Sequence, residues 1–170
     1  MTFKRQKRIF DDWLDEHSAV IFKVVRAYAF SPHDRDDLFQ VVVLEIWRSI
    51  PKFEGKSKET TWLYRISLYA ALAWSRKEKR AKERISEANG TAGVYLQAND
   101  KPNRRVDWLY ERIAKLEAVD RSLTLLMLDG YSYREISDIV GLTESSVGAR
   151  LSRIRKKLTE QLEKEDGNGL

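Results

Sequence analysis

The sequence predicts an all-α protein of two small helical domains joined by a flexible linker. Wherever the chain is periodic, apolar residues recur at three- and four-residue steps, the spacing of one face of an α-helix. A central stretch loses that periodicity and gathers glycine, asparagine, aspartate and proline, which is typical of a linker. The pattern predicts domains at residues 5–84 and 106–163, a linker at 85–105, and a polar tail at 164–170.

The N-terminal domain begins with two predicted helices. Apolar and aromatic side chains at helical spacing predict the first over residues 10–30. Ser31 can cap the second helix, which would have Pro32 at its first position. Three consecutive valines at 41–43 weakly favour a strand. Because leucine and isoleucine keep a four-residue step across these valines, we predict a helix over residues 33–50.

A third helix is predicted after a lysine-rich loop at residues 51–59. Thr60 or Thr61 can cap it. Its first part is rich in aromatic side chains, and its second part, from Arg76 to Arg84, is almost wholly charged. Aromatic rings followed by a basic run fit unpaired bases beside a phosphate backbone. The same pattern equally fits a buried aromatic core with a solvated, charged helix end.

The C-terminal domain is predicted to carry a helix-turn-helix at residues 132–158, supported by helices at 107–116 and 120–128. Ser132 and Glu135 have the spacing of a capping box at the start of the first helix of the motif. Its second helix presents small and basic side chains on the face opposite its apolar stripe: Ser145, Ser146, Ala149, Arg150 and Arg153.

The turn between the two helices supports DNA binding. Gly141 suits a left-handed C-terminal position, and Thr143 can cap the helix that follows. A small, basic outer face can enter the major groove of DNA. Two amphipathic helices around a glycine also occur in proteins that bind no DNA, but the agreement of turn, cap and outer face favours DNA binding.

Composition restricts the class of function. The formal net charge of +5 suits a polyanionic partner. The chain has no cysteine, and neither His17 nor His33 has neighbours at metal-ligand spacing, so we expect no metal, no cofactor and no thiol chemistry. No catalytic constellation is present, which indicates that the protein is not an enzyme. Without a membrane-spanning run or a signal peptide, we expect no membrane insertion and a cytoplasmic location.

The two halves together resemble the extracytoplasmic-function (ECF, group 4) sigma factors of the sigma-70 family. Residues 34–80, which contain DRDDLFQ, EGKSKETTWLYRIS and SRKEKR, resemble region 2 of these proteins. Residues 106–162, with YSYREISDIVGLTESSVGARLSRIRKKL, resemble region 4. The ordered pair is more specific than either part alone. The resemblance implies a promoter-specificity subunit that directs bacterial RNA polymerase to promoter DNA and traps the melted non-template strand.

The resemblance also implies residue roles. The second helix would bind the β′ clamp helices of core polymerase through Asp37, Leu38, Gln40, Leu44 and Trp47. The loop and helix after it would hold the minus-ten element of the opened strand through Phe53, Lys56, Ser57, Lys58, Trp62, Arg65, Tyr69, Arg76, Lys77, Lys79 and Arg80. The five outer-face residues of the helix-turn-helix would read the minus-thirty-five element, while region 4 binds the β flap. An anti-sigma factor is a further partner that the family implies.

Departures from the family pattern suggest weak upstream reading. Gly148 replaces a residue that is commonly basic or polar, and Ala149 is small, so fewer base-edge contacts are expected. Our hypothesis is that another DNA-bound partner helps to recruit the protein. Two alternatives stay open: a polymerase-independent helix-turn-helix regulator that binds a palindrome as a dimer, and an interaction protein whose basic charge is incidental. The first leaves the aromatic third helix unexplained, and the second predicts no salt-sensitive affinity for DNA.

Overall fold

The computed structural model describes residues 1–86 and 104–166, and every regular element in these ranges is helical. The α-helices are α1 (Phe3–Tyr28), α2 (Pro32–Ser49), α3 (Glu59–Ser86), α4 (Arg104–Ala114), α5 (Ala118–Leu128), α6 (Tyr133–Val140) and α7 (Glu144–Asp166), with a 3₁₀ turn at Ile50–Lys52. The predicted all-α class is confirmed. The chain divides into two compact units, with the boundary at Asp107 and Trp108.

Most of the predicted linker, at residues 87–103, lies outside the described residues. At its two ends, residues 85–86 belong to α3 and residues 104–105 to α4. None of the helices in the described ranges combines the length and the apolar composition that crossing a membrane requires.

The first unit is a bundle of α1, α2 and α3, in which each helix packs against the other two. Leu38, Val42 and Ile46 of α2 are fully buried at the predicted four-residue step. The valines at 41–43 therefore form part of a helix and not a strand, as predicted. The remaining large buried side chains come from α1, α3 and the turn after α2: Trp13, Ile21, Val24, Val25, Tyr28, Ile50, Leu63, Tyr64 and Leu68.

The helix ends of the first unit agree only partly with the predicted caps. The backbone N–H of Asp34 donates to the Ser31 hydroxyl at 3.0 Å, which confirms the Ser31 cap ahead of Pro32. The predicted cap at Thr60 or Thr61 is wrong, because α3 already begins at Glu59 and both threonines lie inside it. A helix N-terminus favours a carboxylate such as that of Glu59.

The first helix also starts earlier than predicted, at Phe3. The rings of Phe3 and Phe10 meet the Trp47 indole edge-on, with centroids 5.7 and 5.3 Å away. The Gln6 amide donates to the Trp47 carbonyl at 2.8 Å, near the end of α2. These contacts give the first turns of α1 a partner and satisfy a carbonyl that α2 would otherwise leave open.

The second unit packs α5, α6 and α7 against one another. Helix α5 is buried through six consecutive residues, from Arg121 to Leu126. The buried Arg121 guanidinium donates to the carbonyls of Ala114 and Leu116 at 2.7 and 3.0 Å. These carbonyls lie at the end of α4, where a cation is favourable, so the buried charge is compensated.

The predicted helix-turn-helix is confirmed in detail. Glu135 donates its N–H to the Ser132 hydroxyl and accepts from the Ser132 N–H at 2.8 Å, which completes the capping box. Gly141 takes a φ of +73°, a left-handed conformation that glycine adopts without strain. The Thr143 hydroxyl accepts from the Ser146 N–H at 3.2 Å and so caps α7. Helix α7 continues to Asp166, beyond the predicted start of the polar tail at residue 164.

Candidate functional site

One face of α3 is exposed and basic. The residues that form it are separated by four or seven positions and lie opposite the buried side of the helix; we call Arg65, Tyr69, Arg76 and Arg80 the α3 stripe. Lys77 and Lys79 are on its two flanks. The Arg65 guanidinium carbon lies 5.9 Å from the centre of the Tyr69 ring, a cation–π distance, and Tyr69 is 45% exposed. An aromatic ring with aligned cations suits a single strand of nucleic acid.

A cluster of three aromatic rings lies beneath the loop that precedes α3. The Phe53 ring meets Trp13 edge-on at 5.2 Å between centroids and Trp62 at 5.5 Å. The Trp62 indole N–H donates to the Ser49 hydroxyl at 3.1 Å, and that hydroxyl donates to the Ile46 carbonyl at 2.8 Å. Phe53 and Trp62 therefore anchor the loop to the bundle, since their rings are engaged with each other and with α1.

The loop above this cluster presents its polar residues to solvent. Lys56, Ser57 and Lys58 are all exposed, and Lys56 forms an ion pair with Glu54. Gly55 has a φ of +71°, which allows the sharp turn in the loop. The loop residues that the sequence singled out thus lie directly before the first turn of α3, the helix that carries the stripe. Trp13 was not singled out, because no local pattern tells which helix supports a loop.

The face of α2 predicted to bind a partner contains only part of the predicted set. Asp37, Gln40 and Leu44 are exposed, and Leu44 is 47% exposed. Leu38 is fully buried, because the four-residue step that makes α2 a core helix runs through it. Trp47 is half-buried against Phe3 and Phe10 of α1.

Val41 belongs to the exposed α2 face, although it is not among the residues predicted to bind polymerase. It is 38% exposed and lies one helical step from Leu44. We call Asp37, Gln40, Val41 and Leu44 the α2 face. Val41 and Leu44 together form a small exposed apolar area, rimmed by the polar side chains of Asp37 and Gln40.

The outer face of α7 holds four of its five predicted residues. Ser145, Ser146, Ala149 and Arg153 lie on the side opposite the buried Val147, Leu151 and Ile154. The fifth is held elsewhere: the Arg150 guanidinium donates to the Asp120 carboxylate of α5 at 2.6 Å, and the two side chains are 37% and 24% exposed. The sequence could not reveal this ion pair, because its partners are 30 residues apart.

A second arginine of α7 is held on the other side of the helix. The Arg155 guanidinium donates to the Tyr133 hydroxyl of α6 at 2.9 Å and lies over its ring. The same ring packs against Gly148, where an added Cβ would lie 3.4 and 3.5 Å from two ring carbons. Gly148 therefore lies on the flank that faces α6, beside Tyr133, and not at the centre of the outer face.

The fold also places His17 close to two carboxylates. The His17 Nε2 atom lies 3.5 Å from Glu59 and 3.9 Å from Glu16, although no sequence spacing indicated such a group. Both glutamates are exposed, and clusters of exposed carboxylates are common in proteins that bind no metal there. The contact joins the start of α3 to α1, and nothing in the described residues points to an ion there.

Comparison with known proteins matches both units to one family. Residues 13–81 match the model for sigma-70 region 2, and residues 107–158 match the model for sigma-70 region 4. The chain is 28% identical over 145 residues to the ECF RNA polymerase sigma-E factor of Haemophilus influenzae, covering 78% of this chain and 77% of that protein. It is 25% identical over 171 residues to the ECF sigma factor SigW of Bacillus subtilis, covering 94% and 91%.

Solved structures agree at the level of fold. The sigma factor RpoE from Bartonella quintana, solved with the anti-sigma factor NepR, aligns with a TM-score of 0.70 at 22% identity, over 89% of this chain and 97% of that one. CnrH, solved with the cytosolic domain of CnrY, aligns with a TM-score of 0.63 at 21% identity, over 92% and 89%. With region 2 and region 4 in this order on the two units, the chain belongs to the ECF sigma factors of the sigma-70 family, which are promoter-specificity subunits and not enzymes.

Proposed function

We propose that three exposed surfaces divide the work of a sigma subunit in this chain. The α2 face binds the β′ clamp helices of core RNA polymerase, the loop and α3 stripe hold the opened minus-ten strand, and the outer face of α7 reads upstream duplex while region 4 binds the β flap. The observation that carries the proposal is the α3 stripe. A regulator that binds only duplex DNA has no use for an exposed tyrosine aligned with arginines ahead of a basic helix end.

The energetics of strand opening support this assignment. A base that leaves the duplex loses stacking and pairing energy, and a protein surface compensates when it stacks on the base and neutralises the phosphates. Tyr69 offers a ring for stacking on a base. Arg76 and Arg80, further along the same face of α3, offer positive charge to the phosphates of the strand. Binding that favours the open state over the closed one shifts the equilibrium towards melting.

The fixed rings beneath the loop have a different role. Because Phe53 and Trp62 are engaged with Trp13 and Ser49, they set the position of the loop before DNA arrives. A preorganised loop loses less conformational entropy on binding than a mobile one. We assign contact with the captured base to the exposed residues Lys56, Ser57 and Lys58, and support of the loop to the aromatic cluster.

We propose that α7 recognises the minus-thirty-five element too weakly to recruit holoenzyme by itself. The outer face of α7 is mostly small, with two serines and an alanine among its predicted contacts. Few long side chains mean few base-edge contacts. We therefore propose recruitment by a second DNA-bound partner. A strong, sequence-specific footprint over the minus-thirty-five element by holoenzyme alone would contradict this.

Regulation by an anti-sigma factor is also proposed. The support is that a relative in fold, RpoE of Bartonella quintana, was solved with the anti-sigma factor NepR. Since its polymerase and promoter partners reside there, we propose that the chain works in the cytoplasm.

The first test is co-purification with bacterial core polymerase. Wild-type chain should bind, and Leu44→Asp should lose most of the binding, because a carboxylate replaces the most exposed aliphatic side chain of the α2 face. Phe22→Asp is the matched control. Phe22 is 57% exposed on α1 and stacks on Phe39, so it tests whether any exposed apolar residue of the bundle gives the same loss.

Run-off transcription and permanganate reactivity then test strand opening. Holoenzyme with Tyr69→Ala should still bind promoter DNA but should show fewer reactive thymines around the start site. Absence of core binding by wild-type chain would overturn the proposal in favour of the polymerase-independent regulator. Normal opening by Tyr69→Ala would remove the α3 stripe from the strand-holding surface.

A further inference from the structure

The arginines of α7 are not equivalent, and the structure separates them by where their guanidinium groups are held. Each residue of an α-helix turns by about 100°. On that basis Arg150 and Arg155 both lie roughly 70° from the centre of the buried stripe, one on each side. Arg153 lies on the solvent side, next to Ala149.

The two flanking arginines fasten α7 to the rest of its unit. Arg150 is bound to Asp120 of α5, and Arg155 is bound to Tyr133 of α6. Arg155 also lies 3.4 Å from the Met127 sulfur at the end of α5, measured from its Nε atom. Both guanidinium groups therefore have partners within the folded unit, on the neighbours that set the orientation of α7.

Arg153 is in a different position. It is exposed, and among the described residues no hydrogen bond or ion pair to its side chain is found. Towards the start of α7 the outer face is short, with Ser145 and Ala149, and the next long side chain along that face is the exposed Lys156, one turn after Arg153. Ser146 is already bound to the Thr143 hydroxyl, which donates to its Oγ at 2.8 Å as part of the helix start.

We propose that Arg153 is the specificity-determining residue of the upstream-reading face, and that Arg150 and Arg155 hold the recognition helix without reading bases. This rests on the proposed function of α7 as a major-groove helix. A guanidinium that is free to turn can donate two hydrogen bonds to guanine O6 and N7, the commonest specific contact in the major groove. Upstream discrimination is then concentrated at one G·C pair.

The test uses holoenzyme assembled from the full chain and core polymerase, with a promoter pool randomised over the upstream element. DNA that forms stable complexes is sequenced, and base frequencies are compared at each upstream position. Wild-type chain should enrich guanine at one position. Arg153→Gln should reduce that enrichment about tenfold or change it to adenine, because a glutamine amide pairs with adenine N6 and N7.

The matched variants are Arg150→Gln and Arg155→Gln, which remove guanidinium groups from the two flanks. Both should keep the guanine preference, while thermal unfolding of the free chain shifts to lower temperature because α7 is no longer fastened to Asp120 or to Tyr133. A preference that survives Arg153→Gln but disappears in Arg150→Gln would overturn the inference. If a flank variant fails to fold, Asp120→Asn provides the same comparison, since it leaves Arg150 intact and weakens only its ion pair.

Failure of the inference can be told from failure of the proposed function. Wild-type holoenzyme that forms selective minus-ten complexes but enriches no upstream base would overturn the role of Arg153 and leave the sigma function standing. A chain that binds no polymerase at all would overturn the proposed function instead, whatever the variants do.

Discussion

At the scale of single residues, arginines of the second unit differ in what their guanidinium groups contact. Arg121 is buried and donates to a carbonyl at the C-terminal end of α4. Arg150 pairs with a carboxylate of α5, and Arg153 faces solvent. All three are the same residue type in one unit, so composition alone could not separate them. Their partners do, because a guanidinium with fixed acceptors has fewer donors left for a ligand.

Gly148 gives a prediction at this scale. Glycine within a helix costs up to about 1 kcal/mol relative to alanine. A Cβ at this position would make ordinary contacts with the Tyr133 ring, at 3.4 and 3.5 Å. Gly148→Ala should therefore raise the free energy of unfolding of the second unit by up to about 1 kcal/mol. Native-state hydrogen exchange of the slowest α6 and α7 amides measures it.

The control for this prediction is Gly141→Ala. Gly141 has a φ of +73°, which a residue with a Cβ adopts at a cost of about 1 kcal/mol or more, so exchange should become faster. Faster exchange in Gly148→Ala as well would mean that the Tyr133 ring cannot accept the added methyl group.

At the scale of elements, α3 shows how one helix serves both core and surface. Leu63, Tyr64 and Leu68 are buried on one side, while Arg65 and Tyr69 are exposed on the other. The sequence left open whether the aromatic residues of this helix are core or binding surface. The structure answers differently for each ring: Tyr64 is core, Trp62 anchors the loop, and Tyr69 is exposed.

The basic part of α3 gives the prediction for this scale. If Arg76 binds a strand phosphate, Arg76→Ala should lower the salt dependence of holoenzyme binding to a forked promoter. The slope of log K against log salt should fall by about 0.7 when one single-strand phosphate is no longer neutralised. Fluorescence anisotropy across a salt series measures this slope.

Lys7→Ala is the control for that experiment. Lys7 is also exposed and basic, but it lies on α1 and pairs with Asp11 at 2.6 Å. Its removal changes the net charge equally and should leave the slope unchanged. Equal slopes for wild-type and Arg76→Ala would show that this arginine makes no phosphate contact.

At the scale of the whole molecule, the chain is two units with separate cores. The bundle of α1, α2 and α3 buries its own aliphatic side chains, and α5, α6 and α7 bury theirs. Each unit therefore has an apolar interior of the kind that supports independent folding.

Leu38→Asp tests that independence. Leu38 is fully buried, and an unpaired carboxylate there costs several kcal/mol, a large part of the stability of a small domain. Amides of α1, α2 and α3 should lose protection from hydrogen exchange, while those of α5, α6 and α7 keep theirs. Leu44→Asp, with its side chain 47% exposed, should leave protection unchanged in both units. Loss of protection throughout the chain in Leu38→Asp would show that the units fold as one.

Local patterns in the amino-acid sequence were enough to predict most helices of this protein. The resemblance of two segments to sigma regions 2 and 4 was enough to predict its family. The capping box at Ser132, the glycine turn at Gly141 and the four-residue step through Leu38 involve residues close together in the chain, so they are readable without a structure. Exposed Arg65 and buried Leu63 follow from the same periodicity.

Which side chains are available to a partner depends on tertiary contacts that the sequence does not show. The Asp120–Arg150 ion pair, the Tyr133 contacts and the support of Phe53 by Trp13 each join residues distant in sequence. Such contacts depend on how helices cross, and no local pattern encodes the angle of a crossing. For that reason Arg150 and Arg153 look alike in the sequence, and only the folded unit separates the arginine that braces α7 from the arginine that is free to read DNA.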